Sequence, residues 1–121
     1  MDLGRKISSG KYHSRRKKKL YERRNQERIA LLAETKKKNI RTRGGNTKTI
    51  LLGTNLVNLT INGKTKKARI INVIETPQNQ FFARQNRLMR GAIIETDQGK
   101  AMITNRPSQE GHINAVVIKE K

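Results

Sequence analysis

The chain has 121 residues, with 28 Lys and Arg against 9 Asp and Glu, a formal net charge of +19. Charge of that size repels itself and opposes a compact state unless an anionic partner offsets it. There is no Trp, and the longest apolar run is Ile29 to Ala33, which excludes a spanning helix of roughly 18 residues and argues against an amphipathic membrane anchor; the absence of Cys excludes disulfides and thiolate metal sites.

The charge is concentrated at the start. Residues 1–48 carry 17 basic and 4 acidic side chains, whereas residues 49–121 carry 11 and 5. Residues 1–28 hold too few large apolar side chains to bury a core, so this part reads as a basic, largely extended arm that orders on its partner. No secretory signal is visible in the first nineteen residues, while the basic, Ser-containing stretch from 5 to 19 leaves a transit peptide open. "GRKISSGKYHSRRKKKLYERR" (4–24) places Arg5, Lys6, Lys11, Arg15, Arg16, Lys17, Lys18, Lys19, Arg23 and Arg24 among flexible residues. Each phosphate such cations neutralise releases counterions, so they are candidate nucleic-acid contacts. Between Lys19 and Lys37, Leu20, Ile29, Leu32 and Ala33 recur at mixed helical spacings, which fits a marginal helix.

From Ile40 the period becomes two. "RTRGGN" (41–46) sets Gly44, Gly45 and Asn46 between Arg41, Arg43 and Lys48. These are residues that tolerate positive φ and expose main chain, so a sharp turn with an anion-binding concavity is expected as the chain enters a barrel. "NLVNLTI" (55–61) alternates Val57, Leu59 and Ile61 with Asn58 and Thr60, and Asn62-Gly63 then signals a type I′ hairpin turn. "KKARIINVI" (66–74) is the return strand. "ETPQNQFFARQ" predicts about two turns of helix, capped by Thr76 with Pro77 at the first helical position. A second hairpin joins 92–96 to 100–104 with Gly99 in its turn, and 112–120 supplies the closing strand. The fold class is therefore all-β: a small barrel of about six strands with one short helix, residues 40–121, behind a basic extension, residues 1–39.

Catalytic constellations are absent from this map. His13 lies in a basic run and His112 at a strand start, neither with a sequence neighbour that makes a ligand pair or a general base. "NGKT" (62–65) imitates the end of a phosphate-binding loop, but the glycine that motif needs is Asn58 here. Tyr12, Tyr21, Phe81 and Phe82 are the whole aromatic inventory, too few for stacking single-stranded bases across a sheet. The partner that remains is folded, double-helical RNA, read by backbone and shape.

The blocks "GRKISSGKYHSRRKKKLYE", "RTRGGN", "ETPQNQFFARQNRLMRGAIIET" and "GKAMITNRPSQEGHINAVVI" stand in an order that resembles small-subunit ribosomal protein eight of the archaeal and eukaryotic type, in its short archaeal form. The most specific parts are RTRGGN, the P-x-N-x-x-x-x-R segment from Pro77 to Arg84, and R-P-x-Q-x-G from Arg106 to Gly111. Two stretches depart from the family pattern: "NQERIALLAE" (25–34), usually richer in Gly and Pro, and Leu88-Met89, where Ile-Thr-Lys is more usual. The resemblance implies a β-barrel with a basic N-terminal extension, bound to small-subunit ribosomal RNA beside other small-subunit proteins in the cytoplasm. It adds Arg84, Arg87 and Arg106 to the candidate RNA contacts. It implies no enzyme activity, no cofactor, no metal, no small-molecule substrate, no membrane and no homo-oligomer. The alternative is a ribosome-assembly factor with a related barrel, which usually carries a much longer N-terminal region.

Overall fold

The computed structural model describes residues 4–13, 16–24 and 26–118. Eight strands form two sheets: β1 (Leu31–Leu32), β2 (Lys36–Arg41) and β3 (Thr47–Thr54) in one, and β4 (Leu56–Ile61), β5 (Lys64–Glu75), β6 (Ile93–Thr96), β7 (Gly99–Ile103) and β8 (Asn114–Val117) in the other. The second sheet closes into a five-stranded barrel, because β8 returns to pair in parallel with β4 through Asn58–Asn114, Leu59–Ala115 and Thr60–Val116. Closure removes the sheet edges that would otherwise invite pairing with another chain.

The alternation read in β4 is the alternation found. Val57 and Leu59 point into the barrel, where they meet Ala68, Ile70 and Val73 of β5, Ile94 of β6, Ala101 and Ile103 of β7 and Ala115 of β8. The β4–β5 hairpin turns at Asn62 and Gly63, both at positive φ (47° and 79°), as a type I′ turn requires. In the second hairpin Asp97 and Gln98 make the turn, Gly99 pairs with Thr96, and the Thr96 hydroxyl donates to the Gly99 carbonyl at 2.7 Å. The last strand is shorter than the pattern suggested, ending at Val117, and residues 119 and 120 lie outside the described residues.

The other sheet has the order β1-β3-β2. Ile50 and Leu51 are both buried although adjacent in β3, so this central strand is covered on both faces. β2 is an edge strand, and its Lys36, Lys37 and Lys38 are all exposed, a composition that discourages edge-to-edge pairing. β2 runs across residue 39, antiparallel to β3 with Arg41 opposite Thr47.

Two expectations are corrected. Between Lys19 and Lys37 there is no α-helix among the described residues: a single 3-10 turn at Leu20–Glu22 is followed by β1 and the start of β2. The helix would have been marginal alone, and tertiary hydrogen bonds outcompete it. Leu31 and Leu32 pair in parallel with Gly53 and Thr54, while Leu32 N–H donates to Asn86 O (3.0 Å) and Leu88 N–H to Ala30 O (2.8 Å). The second correction concerns the short helix, α1, which runs only from Gln80 to Arg84. Its cap is Asn79, whose carboxamide accepts from Phe81 N–H at 2.9 Å. Thr76 instead donates its hydroxyl to the Asn79 carbonyl, and Pro77 precedes the helix.

Candidate nucleic-acid interface

The arm residues described between 4 and 24 are exposed throughout. Two local devices shape them. Arg5 and Lys11 form an antiparallel bridge closed by Lys6 N–H to Gly10 O and Ser9 N–H to Lys6 O, each 2.9 Å, so that Ile7 sits uncovered at the tip of a cationic loop. Further on, Glu22 accepts from the Arg16 guanidinium (2.8 Å) and the Lys19 N–H (2.9 Å). The Arg16 bond, and after it the Lys19 N–H, hold the Glu22 carboxyl below its ordinary range of ionisation. Lys17, Lys18, Lys19, Arg23 and Arg24 remain exposed, with the Lys19 ammonium 6.0 Å from the Tyr21 ring. Arg15 lies outside the described residues.

RTRGGN forms the β2–β3 hairpin loop of the three-stranded sheet, rather than the entry to the barrel. The positive φ expected of it is present: 76° at Gly44 and 77° at Gly45. Thr42 closes the loop, its N–H and hydroxyl both donating to Asn46 O at 2.7 and 2.9 Å, and the Asn46 amide reaches back to Arg43 O at 3.4 Å. Arg41, Arg43, Gly44, Gly45 and Asn46 are all exposed. Lys48 is not part of this set: half-buried, it donates to the Gln109 side chain.

The three basic positions taken from the later blocks have different fates. Arg84 is exposed on α1, its guanidinium 5.8 Å from the Phe81 ring. Arg106 is exposed on the loop before β8, and its carbonyl accepts from the Gln109 and Glu110 N–H groups. Arg87 is committed to the protein. Its guanidinium lies 4.3 Å from the Phe82 centroid, its Nε donates to Gln85 (2.7 Å) and its Nη1 to Glu27 (3.2 Å), leaving the side chain 14% exposed. Arg87 thus ties the arm to the barrel. Neither Phe81 nor Phe82 belongs to the buried core.

Beside Arg87 the arm, the β5–β6 connection and the loop before β8 enclose a groove of about 580 Å³. Arg28, Arg90 and Arg106 line it, and none makes a side-chain hydrogen bond or ion pair among the described residues. Arg28 and Arg90 were not among the candidates drawn from the sequence. Each is a single Arg in an unremarkable stretch, and only the pairing of residues 30–32 with 86–88 brings them together. The exposed lysines of β2 were not among those candidates either, though the KKK run was visible. His112 has a neighbour the sequence did not reveal, Glu110, 3.7 Å away. Among the described residues no group of His, Asp and Glu could hold a metal ion, and no helix is long and apolar enough to cross a membrane.

A model of the family described as ribosomal protein S8e matches residues 2–118. The chain belongs to this family. Three archaeal relatives are each named small ribosomal subunit protein eS8. That of Nanoarchaeum equitans is 42% identical over 117 residues, covering 94% of this chain and 92% of the relative. Those of Methanocorpusculum labreanum and Methanosarcina barkeri are 40% and 38% identical, each covering 95% of this chain and 94% of the relative. The resemblance drawn from RTRGGN and the two later blocks is thus confirmed. The departure at Leu88 also has a structural sense within the S8e chain: Leu88 is buried in the core and bonded to Ala30, so that position serves packing.

Proposed function

We propose that this S8e chain is a structural constituent of the small ribosomal subunit in the cytoplasm, holding folded small-subunit rRNA through contacts to its phosphates. The single observation that carries the reading is the family match over residues 2–118, nearly the whole chain. The distribution of charge supports it. The cations exposed on the arm, Arg5, Lys6, Lys11, Lys17, Lys18, Lys19, Arg23 and Arg24, stand on a segment that packs against no core, so it is free to follow a helical backbone. Arg41 and Arg43 present a second, rigid contact at a hairpin tip, with bare Gly44–Gly45 main chain between them and Asn46. Such a set reads A-form RNA by its backbone and shape. Neighbouring ribosomal proteins complete the surroundings, and no catalytic step is assigned.

Sedimentation of a tagged chain tests the proposal. Recovery in mature small subunits and in translating ribosomes is expected. Confinement to immature particles would refute it and favour an assembly factor.

A further inference from the structure

We infer that the groove between the arm and the barrel takes a single unstacked nucleotide of the RNA, its base inside and its phosphate on Arg28, Arg90 and Arg106. This rests on the rRNA-binding reading above and deepens it, because the other candidate contacts address only backbone. Four observations carry it. The first is size: about 580 Å³ falls within the roughly 300–1,000 Å³ of small-ligand sites.

The second is the division of its lining. Half-buried Ile29 and Met89 offer apolar side chains over a floor of buried Ala30, Leu88 and Pro107, and Gln26 and Ser108 add polar groups with no side-chain hydrogen bond among the described residues. A base needs that combination, a π-face against apolar atoms and an edge against donors and acceptors. The third is charge. Glu27 is the one acid on the lining, and it is engaged by Arg87, which leaves three guanidiniums without an anion among the described residues. Guanidinium forks match phosphate oxygens in geometry as well as charge.

The fourth is that the walls are built in advance. The arm wall is bonded to the β5–β6 wall through Leu88 N–H to Ala30 O (2.8 Å) and through Arg87–Glu27. Gln78 donates to Arg90 O at 2.6 Å, and the third wall is held to β3 by Leu51 N–H to Pro107 O (3.1 Å) and by Lys48 to Gln109. Lys48 and Arg87 therefore act as positioning residues, shaping a site whose direct contacts are other arginines.

The test titrates the full-length protein, followed by methyl NMR, with each nucleoside monophosphate, with inorganic phosphate and with an acidic tetrapeptide. Nucleoside monophosphates are expected to shift the Ile29 and Met89 methyl signals; inorganic phosphate should shift them much less, and the peptide should not. Equal shifts from phosphate alone would reduce the groove to an anion site, and equal shifts from the peptide would reassign it to a protein carboxylate; either overturns the inference. Ser108→Trp, checked for an intact fold by its amide spectrum, fills the groove. It should abolish the nucleotide shifts and weaken rRNA binding about tenfold while lowering the salt slope by about one unit, since a stacked base and its one phosphate contact are lost together. Wild-type rRNA affinity in Ser108→Trp would also overturn the inference. If the wild-type chain took nucleotides in the groove but bound no rRNA, the rRNA reading would fail while the nucleotide site stood.

Discussion

Replacing Arg87 by Ala distinguishes a residue that touches RNA from one that holds the protein together. Three interactions vanish with its guanidinium: the stack on Phe82 at 4.3 Å, the bond to Gln85 at 2.7 Å and the pair with Glu27 at 3.2 Å. Glu27 is 68% exposed, so water screens the ion pair and its share is about 0.5 kcal/mol. The Arg side of the arrangement is 14% exposed, which places the cation–π contact between its exposed and desolvated limits, about 1 kcal/mol. Lost packing of the arginine stem and the Gln85 bond add about 1 kcal/mol more. We therefore expect Arg87→Ala to destabilise the chain by about 2–3 kcal/mol, a fall in melting temperature on the order of 10 °C. Urea is the suitable denaturant, being uncharged and leaving the electrostatics unscreened.

Arg87→Lys should recover less than half of the loss, because an ammonium keeps the charge but neither the planar stack nor the fork. Hydrogen exchange provides a local reading of the same event. The Leu32 and Leu88 amides, bonded to Asn86 O and Ala30 O, should lose protection in Arg87→Ala before the barrel strands do. If Arg87→Ala unfolded at the wild-type urea midpoint while binding rRNA with a reduced salt slope, Arg87 would be a phosphate contact and its structural role here would be wrong.

Four further outcomes are expected. Arg43→Ala, at an exposed hairpin tip, should leave melting unchanged and lower the salt slope of rRNA binding by about one unit, measured by filter binding across salt concentrations. Gly45→Val should cost about 1–2 kcal/mol in thermal unfolding although no atom lies within 4 Å of the added Cβ, because φ is +77° and a β-branched residue is strained there. Gly111→Ala should cost about 1–2 kcal/mol for the opposite reason, its Cβ arriving 2.9 Å from Thr49 Cγ2, a stiff side chain that cannot swing aside. On acidification, the Arg16–Glu22 turn should persist above the ordinary carboxylate pKa and open as pH falls through the depressed pKa of Glu22, seen as a shift of the Lys19 amide in NMR; an unchanged amide through that range would count against the bond.

The barrel was legible because its signals were local. Val57, Leu59 and Ile61 alternate within one strand, and Asn62-Gly63 fixes the turn that follows. Such features need no knowledge of what lies across the molecule. The three-stranded sheet was harder to read because its strands lean on distant partners. Leu31 and Leu32 carry no strand periodicity of their own, and they become β1 only because Gly53, Thr54 and Asn86 supply hydrogen bonds. Gly53 itself shows the closeness of the approach: a Cβ there would stand 3.1 Å from Glu34 O. The candidate interface divides in the same way. Exposed runs such as Lys17–Lys19 announce themselves, whereas sequence cannot separate an arginine that faces solvent, like Arg84, from one spent on a ring and a carboxylate, like Arg87.

The two arm carboxylates that form ion pairs, Glu22 and Glu27, hold shape and leave most of the arm's charge unopposed. Glu22 folds a short turn in the arm, and Glu27 moors the arm's base to Arg87. Past that mooring, the described residues from 4 to 24 bury nothing, and among the described residues only local contacts such as the Lys6–Gly10 and Arg16–Glu22 bonds work against the entropy of ordering them and the repulsion among their cations. Their ordering is therefore expected to depend on an anion. We predict that in the free protein the Arg5 to Lys19 amides, apart from those of Lys6, Ser9 and Lys19 held in local turns, exchange at near-unprotected rates while Leu88 and the barrel amides are protected, and that rRNA closes the gap. Residues 4 to 26, fully extended, reach about 80 Å at most, so the moored base fixes a centre from which the arm can follow a groove well beyond the barrel. NMR hydrogen exchange with and without rRNA checks this, and protected amides from Arg5 through Lys19 in the free chain would show that the arm orders by itself.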